Sequence, residues 1–325
     1  MATMIFAIGE VLVDFIAVEE TDLKYVKNFE KHAGGAPANM VVGLRRLGVP
    51  AGLISKVGKD ALGDFLLEEL MKEGVNISGL KRDEEYPTGV AFVQLKGGRP
   101  EFLLYDWVAY FNLKIDDIDF QILGDAELIH FGGVLLSREL SRSTTLTVVE
   151  WARERRIPVS FDANIRPHLW RDLGELSKSM KKAFELSNVV KLGADEFDLL
   201  RKRGVDPTQN GADLISITRG DAGSIIIHKD LQVDIPPFKV DVVDTTGAGD
   251  SFMAAVLASL YSMSKLGDIK LAEDELRLLG KFSNLVAAIS TTRRGAWSTP
   301  SLNELEKYHE IKTIVKKLYE KRGRA

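Results

Sequence analysis

The sequence predicts an α/β protein with a mostly parallel central sheet and a small separate β-sheet flap. Three observations predict it. Strand-like and helix-like runs alternate along most of the 325 residues, which is the order that βαβ units produce. One pair of strand-like runs, 88–96 and 101–105, turns back around Gly97-Gly98-Arg99-Pro100 with no long helix attached, so it interrupts that rhythm. Two glycine-rich turns, near opposite ends of the chain, each lead into an apolar helical run.

Taken in order, residues 4–8 read as a buried strand. Residues 11–18 read as a second strand with Asp14 in its middle. An acid inside an apolar strand is expensive unless it is paired or belongs to a site; an edge strand with Asp14 facing water would also accommodate it. Gly34-Gly35 then offer bare backbone. Pro37 suits the first position of a helix, and Gly48 the position just past its end. Residues 51–57 form a strand and 61–72 an amphipathic helix that Gly74 closes, which sets up parallel pairing. After the hairpin, strands are expected at 127–131, 158–162, 188–192, 214–218, 223–229 and 231–236. Helices are expected at 138–156, 175–187, 195–203, 248–263, 274–290 and 301–322.

Composition narrows the function. Apolar residues are 45% of the chain, enough for a large core, and the net charge of −4 implies no general attraction to nucleic acid or membrane. With no cysteine there are no disulfides, thiolate metal sites or cysteine nucleophiles. The first residues lack a basic segment, Glu10 and Asp14 break the apolar run, and no stretch reaches transmembrane length. A cytoplasmic protein is the expectation.

The chemistry concentrates in Asp244-Thr245-Thr246-Gly247-Ala248-Gly249-Asp250-Ser251-Phe252. The strand-like run 240–243 precedes it and a helix follows. The first N–H groups of a helix have no intrahelical partner, glycines let an anion approach the backbone, and the helix dipole adds partial positive charge. This is a phosphate cradle made of backbone, with Asp250 beside it. A carboxylate next to a phosphate site suits removal of a proton from an attacking hydroxyl; helix stability alone would also favour an acid there. The stretch is neither a P-loop nor a dinucleotide fingerprint.

These residues resemble the C-terminal signature of the ribokinase-like (PfkB) carbohydrate kinases, and Gly34-Gly35-Ala36-Pro37-Ala38-Asn39 with the run to Gly48 resembles the N-terminal one. The resemblance implies a ribokinase-like open α/β/α sandwich whose β lid comes from about 11–32 and 86–110. It implies phosphoryl transfer from MgATP to a sugar hydroxyl. Asp250 would be the base, with the amides of Gly247, Ala248 and Gly249 as an anion hole. Asp14, Gly34, Gly35 and Asn39 would grip the sugar, joined by Tyr105 and Arg166. Asn164, Thr218, Gly220, Gly223 and Asn284 would serve the nucleotide, with the loop Arg293-Arg294-Gly295-Ala296 on its adenine side. Glu196, in a partial match where Gly193 replaces the usual Asn, would help hold Mg²⁺ through water. Backbone carbonyls of Asp244 and Thr246 would hold K⁺. A homodimer through the lid is implied.

Ile8-Gly9-Glu10-x-Leu12-x-Asp14 and Asp162-Ala163-Asn164-Ile165-Arg166 resemble the fructokinase and 2-keto-3-deoxygluconate kinase branch. That branch commonly has Tyr-Arg in the lid hairpin. Here Tyr105 is followed by Asp106, which favours a neutral ketose such as fructose over a sugar acid. Alternatives are a 2-keto-3-deoxygluconate kinase, a nucleoside kinase with Trp107 and Tyr110 stacked on the base, and a non-catalytic sugar-sensing protein.

Overall fold

The first strand, β1 (Met4–Ile8), is apolar on both faces. Ile5 and Ala7 enter one core, and Phe6 and Ile8 the other. Such a strand belongs in the middle of a sheet covered on both sides by helices. The structure, a computed structural model, describes residues 4–96, 99–209 and 211–323. The remaining strands are β2 (Leu12–Ala17), β3 (Phe29–Gly34), β4 (Ala51–Gly58), β5 (Leu80–Asp83), β6 (Gly89–Lys96), β7 (Arg99–Leu104), β8 (Ala126–Gly132), β9 (Val159–Asp162), β10 (Val189–Gly193), β11 (Leu214–Thr218), β12 (Ser224–His228) and β13 (Leu231–Ile235). The helices are α1 (Ala36–Arg46), α2 (Ala61–Lys72), α3 (Phe120–Leu123), α4 (Glu139–Glu154), α5 (Leu173–Leu186), α6 (Ala194–Arg201), α7 (Ala248–Ser262), α8 (Glu273–Ser290), α9 (Leu302–Leu305) and α10 (Lys312–Arg322).

Nine strands form the main sheet in the order β13-β12-β11-β10-β9-β8-β1-β4-β5. Pairing is parallel except at β11–β12 and β12–β13. Helices α1, α2, α7, α8 and α10 cover one face, and α4, α5 and α6 the other. Strand order reverses at β1, with β4 on one side and β8 on the other. Ligands of open parallel sheets bind beyond the carboxyl ends of the strands at such a switch point. Helix α7 is buried from Ser251 to Ser262, as a helix apolar all round must be. It packs against α8 and α1, which anchors the cradle at its N-terminus.

The second sheet has four strands, β3-β2-β6-β7. It stands where the flap was expected, and Phe15, Phe29 and Phe92 pack together on it. Asp60 ties it to the body. Its carboxylate caps α2 through Leu62 N and Gly63 N, and also accepts from Thr88 N at 2.8 Å and Thr88 Oγ1 at 2.7 Å, just before β6. The glycine turn at 97–98 lies outside the described residues.

Two expected elements differ, and one strand was not expected. Residues 240–243 are not a strand. Val242 and Val243 are exposed, and Val243 N bonds Thr291 O at 2.8 Å instead of joining a ladder. The run 301–322 is broken into α9, a turn at His309–Ile311 and α10. The edge strand β5, short and carrying Lys81 and Arg82, gave no apolar signal.

Candidate active site

Gly247 is the N-cap of α7 and adopts φ 77°. A side chain is disfavoured there twice over, by the left-handed backbone and because a Cβ would stand 2.5 Å from Ala296 O. The turn is held from behind by Asp244, which is fully buried and accepts from Thr246 N at 2.9 Å and Gly295 N at 3.0 Å. The N-terminal amides of α7 therefore face a cleft, not the core.

The cleft has two chambers. One, of ≈ 270 Å³, lies under the four-stranded sheet, and its lining includes Glu10, Asp14, Asn39, Tyr110, Arg166 and Asp250. The other, of ≈ 640 Å³, is mostly apolar, with Phe238, Val240, Val242, Ala287 and Ala288 in its wall. They share Thr218, Thr245 and Gly249. The open side chain of Val242 thus borders a chamber that a flat apolar ligand would cover.

Asp250 stands on the first chamber's side of this joint. Asn39 Nδ2 donates to Asp250 Oδ2 at 2.7 Å, and Trp297 Nε1 donates to Asn39 Oδ1 at 2.9 Å. Trp297 thereby fixes the amide so that its NH₂ faces the carboxylate. Burial pushes Asp250 up to about 6, helped by the charge of Asp162 and opposed by Lys191, the Asn39 bond and Arg166. Burial likewise raises Asp14 to about 7, with the charges of Asp244 and Asp250 adding to it. Burial raises Glu10 to about 8.

Asp14 enters from β2, and Gly34 lets it in: a Cβ on Gly34 would stand 2.0 Å from Asp14 Oδ2. Gly35 lines the chamber itself; Gly34 acts from beneath it. Lys191, on β10, pairs with Asp162 across the parallel ladder, Nζ to Oδ2 2.8 Å, with both side chains buried. Its ammonium lies 2.7 Å from where a Cβ on Gly249 would stand. Burial opposes its charge, but Asp162, Glu196 and Asp250 outweigh that and raise its pKa. Glu196 Oε2 accepts from Gly193 N at 2.7 Å and Oε1 from Ile165 N at 2.5 Å. Burial raises it, with Lys191 opposing.

Several expected placements change. Tyr105 is half exposed and outside the chamber lining, because alternation along β7 turns Leu104 inward instead. Asp106 bonds Arg138, and Trp107 packs on Tyr86, and neither lines the polar chamber. Asn164 has φ 34°. The segment after β9 is therefore kinked: Asn164 and Arg166 line the cleft while Asp162 turns to Lys191. Asn284 borders the apolar chamber with its amide spent on Ser224, Ile235 O and Pro236 O. Thr218, Gly220 and Gly223 border that chamber too. Loop 293–296 does not; Gly295 supports Asp244, and Arg294 bonds Glu30 of β3. Glu10, Lys191 and Trp297 carry no assignment in the sequence reading. The first two are charges in apolar strand surroundings, the same signal that marked Asp14; Trp297 has no local signal.

The three raised carboxyls give stability a direction with pH. Each binds its proton more tightly folded than unfolded, so its contribution is full below about pH 4 and is lost as pH rises through about 6, 7 and 8. The ligand-free protein should therefore lose thermal stability between pH 5 and 9, and Asp14→Asn should flatten the decline. A wild-type melting temperature that rises over this range would show these groups ionised in the fold.

Residues 2–302 match the family model described as pfkB family carbohydrate kinase. A sugar kinase of Pyrococcus horikoshii is 47% identical over 313 residues, covering 96% of this chain and 97% of its own. Its structure, described as an uncharacterized sugar kinase in complex with ATP, superposes with a TM-score of 0.88 at 46% identity, covering 96% of this chain and 100% of that one. Fructokinase-2 of Oryza sativa is 32% identical over 303 residues, 90% of this chain and 89% of its own. A fructokinase double mutant of Vibrio cholerae O395, in fructose, ADP and potassium ion bound form, reaches a TM-score of 0.81 at 25% identity, covering 94% and 98% of the chains. On the family match and these relatives together, the chain belongs to the pfkB family of carbohydrate kinases.

Proposed function

We propose that this kinase transfers the γ-phosphoryl group of ATP to a hydroxyl of a neutral ketose, fructose being the best candidate. The observation that carries this is the joint at Gly249. A polar chamber sized for a small polyol meets an apolar chamber suited to a nucleobase, and the N-terminal amides of α7 stand between them with Asp250 on the polyol side. Asp250 takes the proton of the attacking hydroxyl. The amides of Gly247, Ala248 and Gly249, together with Lys191, offset the charge on the transferring group. Asp14 and Asn39 hold the sugar side.

The balance of charge supports a neutral substrate. The cations that line the polar chamber are Arg166, which acts on Asp250, and Lys191, which is committed to Asp162, so no surplus positive charge is left for a sugar acid. Magnesium fits the nucleotide side only as an ion held chiefly by phosphates and water. Among the described residues no three carboxylate or histidine side chains converge on a metal position, and Glu196, in the wall of the polar chamber, is the acid that would take a metal-bound water. When bound, it would neutralise phosphate charge. The main chain of Asp244 and Thr246 would hold K⁺, consistent with the potassium named for the Vibrio cholerae relative. A homodimer would use the outer face of the lid, where Tyr25, Leu103, Tyr105 and Trp107 are exposed. Among the described residues no helix is long and apolar enough to cross a membrane.

Thermal unfolding in the presence of MgADP tests the substrate. A ligand at about 100 times its dissociation constant adds about 2.7 kcal/mol, so fructose should raise the melting temperature by several degrees. A shift with a sugar acid or a nucleoside, and none with fructose, would overturn the assignment.

A further inference from the structure

Glu10 lies two residues past the end of β1, the strand where the order of the sheet reverses. The residue is 3% exposed yet lines the polar chamber, beside Leu12, Asp14 and Tyr110. Its two carboxyl oxygens differ. Oε1 accepts from Ala36 N at 3.2 Å, which ties β1 to the start of α1. Oε2 is buried and has no hydrogen-bond partner. A buried polar atom left unpaired destabilises the protein unless something else satisfies it, and Glu10 borders the chamber proposed above to hold the sugar.

We propose that Glu10 is a substrate-contacting, specificity-determining residue whose Oε2 donates a hydrogen bond to one oxygen of the sugar, an oxygen distinct from the hydroxyl that Asp250 deprotonates. The inference rests on the sugar-kinase reading. It differs from the expected role of Asp14, whose carboxyl enters from β2. The groups facing Glu10 are Asp14 from β2, Tyr110 from the turn Ala109–Asn112, Arg166 from the segment after β9, and Asp250 from α7. Burial, with the charge of Asp250 adding to it, outweighs the main-chain N–H groups of Glu10 and Ala36 and the charge of Arg166, so the carboxyl keeps its proton at neutral pH. A protonated acid can donate where a carboxylate cannot. Because the proton sits on the oxygen that has no protein partner, the donor is aimed at the ligand.

The test uses the full chain, MgATP, D-fructose and the set of monodeoxy fructoses. Glu10→Leu removes the donor and fills its volume. It should raise the KM for fructose about tenfold or more, with a smaller change in kcat and in the KM for ATP. Glu10→Gln, whose amide accepts from Ala36 N through one atom and donates through the other, should recover most of that loss at pH 7. It should also hold a low KM at pH 9, where wild-type KM rises. One deoxy analogue should show no penalty in Glu10→Leu, because the oxygen that Glu10 contacts is already missing.

Equal losses in Glu10→Gln and Glu10→Leu at pH 7 would overturn the proposal, since an ionised acceptor would then be required. An equal penalty against every analogue would also overturn it, by showing that Glu10 only supports Ala36. Wild-type activity on fructose with an unmoved KM in Glu10→Leu would sink the Glu10 assignment alone. A wild-type enzyme that turns over none of these sugars would sink it together with the substrate reading.

Discussion

Asp250→Asn should lower kcat by about 10³-fold and leave the KM for ATP within about threefold, because a positioned general base contributes 10²–10⁴-fold. The substitution preserves shape, and its amide oxygen can still accept from Asn39 Nδ2, now 2.7 Å from Oδ2. Folding should therefore survive and the loss should fall on chemistry. The pH profile adds a second signature. Burial holds Asp250 near 6, and only its ionised form takes a proton. Wild-type kcat/KM should fall as pH drops below about 6, and the residual activity of the variant should lack that limb. Activity of Asp250→Asn within tenfold of wild type would remove Asp250 from the reaction.

Lys191→Met should be the most damaging change to stability within the cleft. The Lys191–Asp162 pair is buried, with 9% and 4% of the two side chains exposed. Removing one partner leaves a carboxylate without water or counter-charge, at a cost of about 3–5 kcal/mol. Denaturant unfolding reads this directly. Adding Asp162→Leu should recover much of the loss, because a buried pair exchanged for apolar groups is often near neutral. The kinase reading adds a catalytic effect. Lys191 holds Asp250 down, so the acidic limb of kcat/KM should move to higher pH in Lys191→Met. A loss below about 1 kcal/mol would mean that water reaches Asp162.

The alternation of strands and helices was legible because strands of a parallel sheet are buried on both faces and read as short apolar runs. The segments 4–8, 51–57 and 188–192 became β1, β4 and β10 for that reason. The run 240–243 has the same composition and was misread. Val240 and Val242 stand in the wall of the apolar chamber, and local pattern does not separate a strand from a wall that a ligand covers. The break before α10 was missed because amphipathic spacing continues across it.

The site was legible where chemistry is local. Gly247 to Asp250 is one turn of backbone, and Asp14 is an acid in an apolar strand. Lys191 carried that same signal, but its partner Asp162 is 29 residues away and only the β9–β10 ladder brings them together. Trp297 acts on Asn39 across 258 residues, a contact that no local pattern encodes. Tyr105 was misplaced by one step of alternation, since Leu104 is the residue that faces the cleft.

Phosphorus NMR of purified protein with MgATP and D-fructose tests the central claim most directly. The expected result is a sugar phosphomonoester resonance that grows in step with ADP. It should be lost in Asp250→Asn and far slower with 2-keto-3-deoxygluconate or a nucleoside in place of fructose. Faster phosphorylation of the sugar acid or the nucleoside, or release of inorganic phosphate alone, would contradict it.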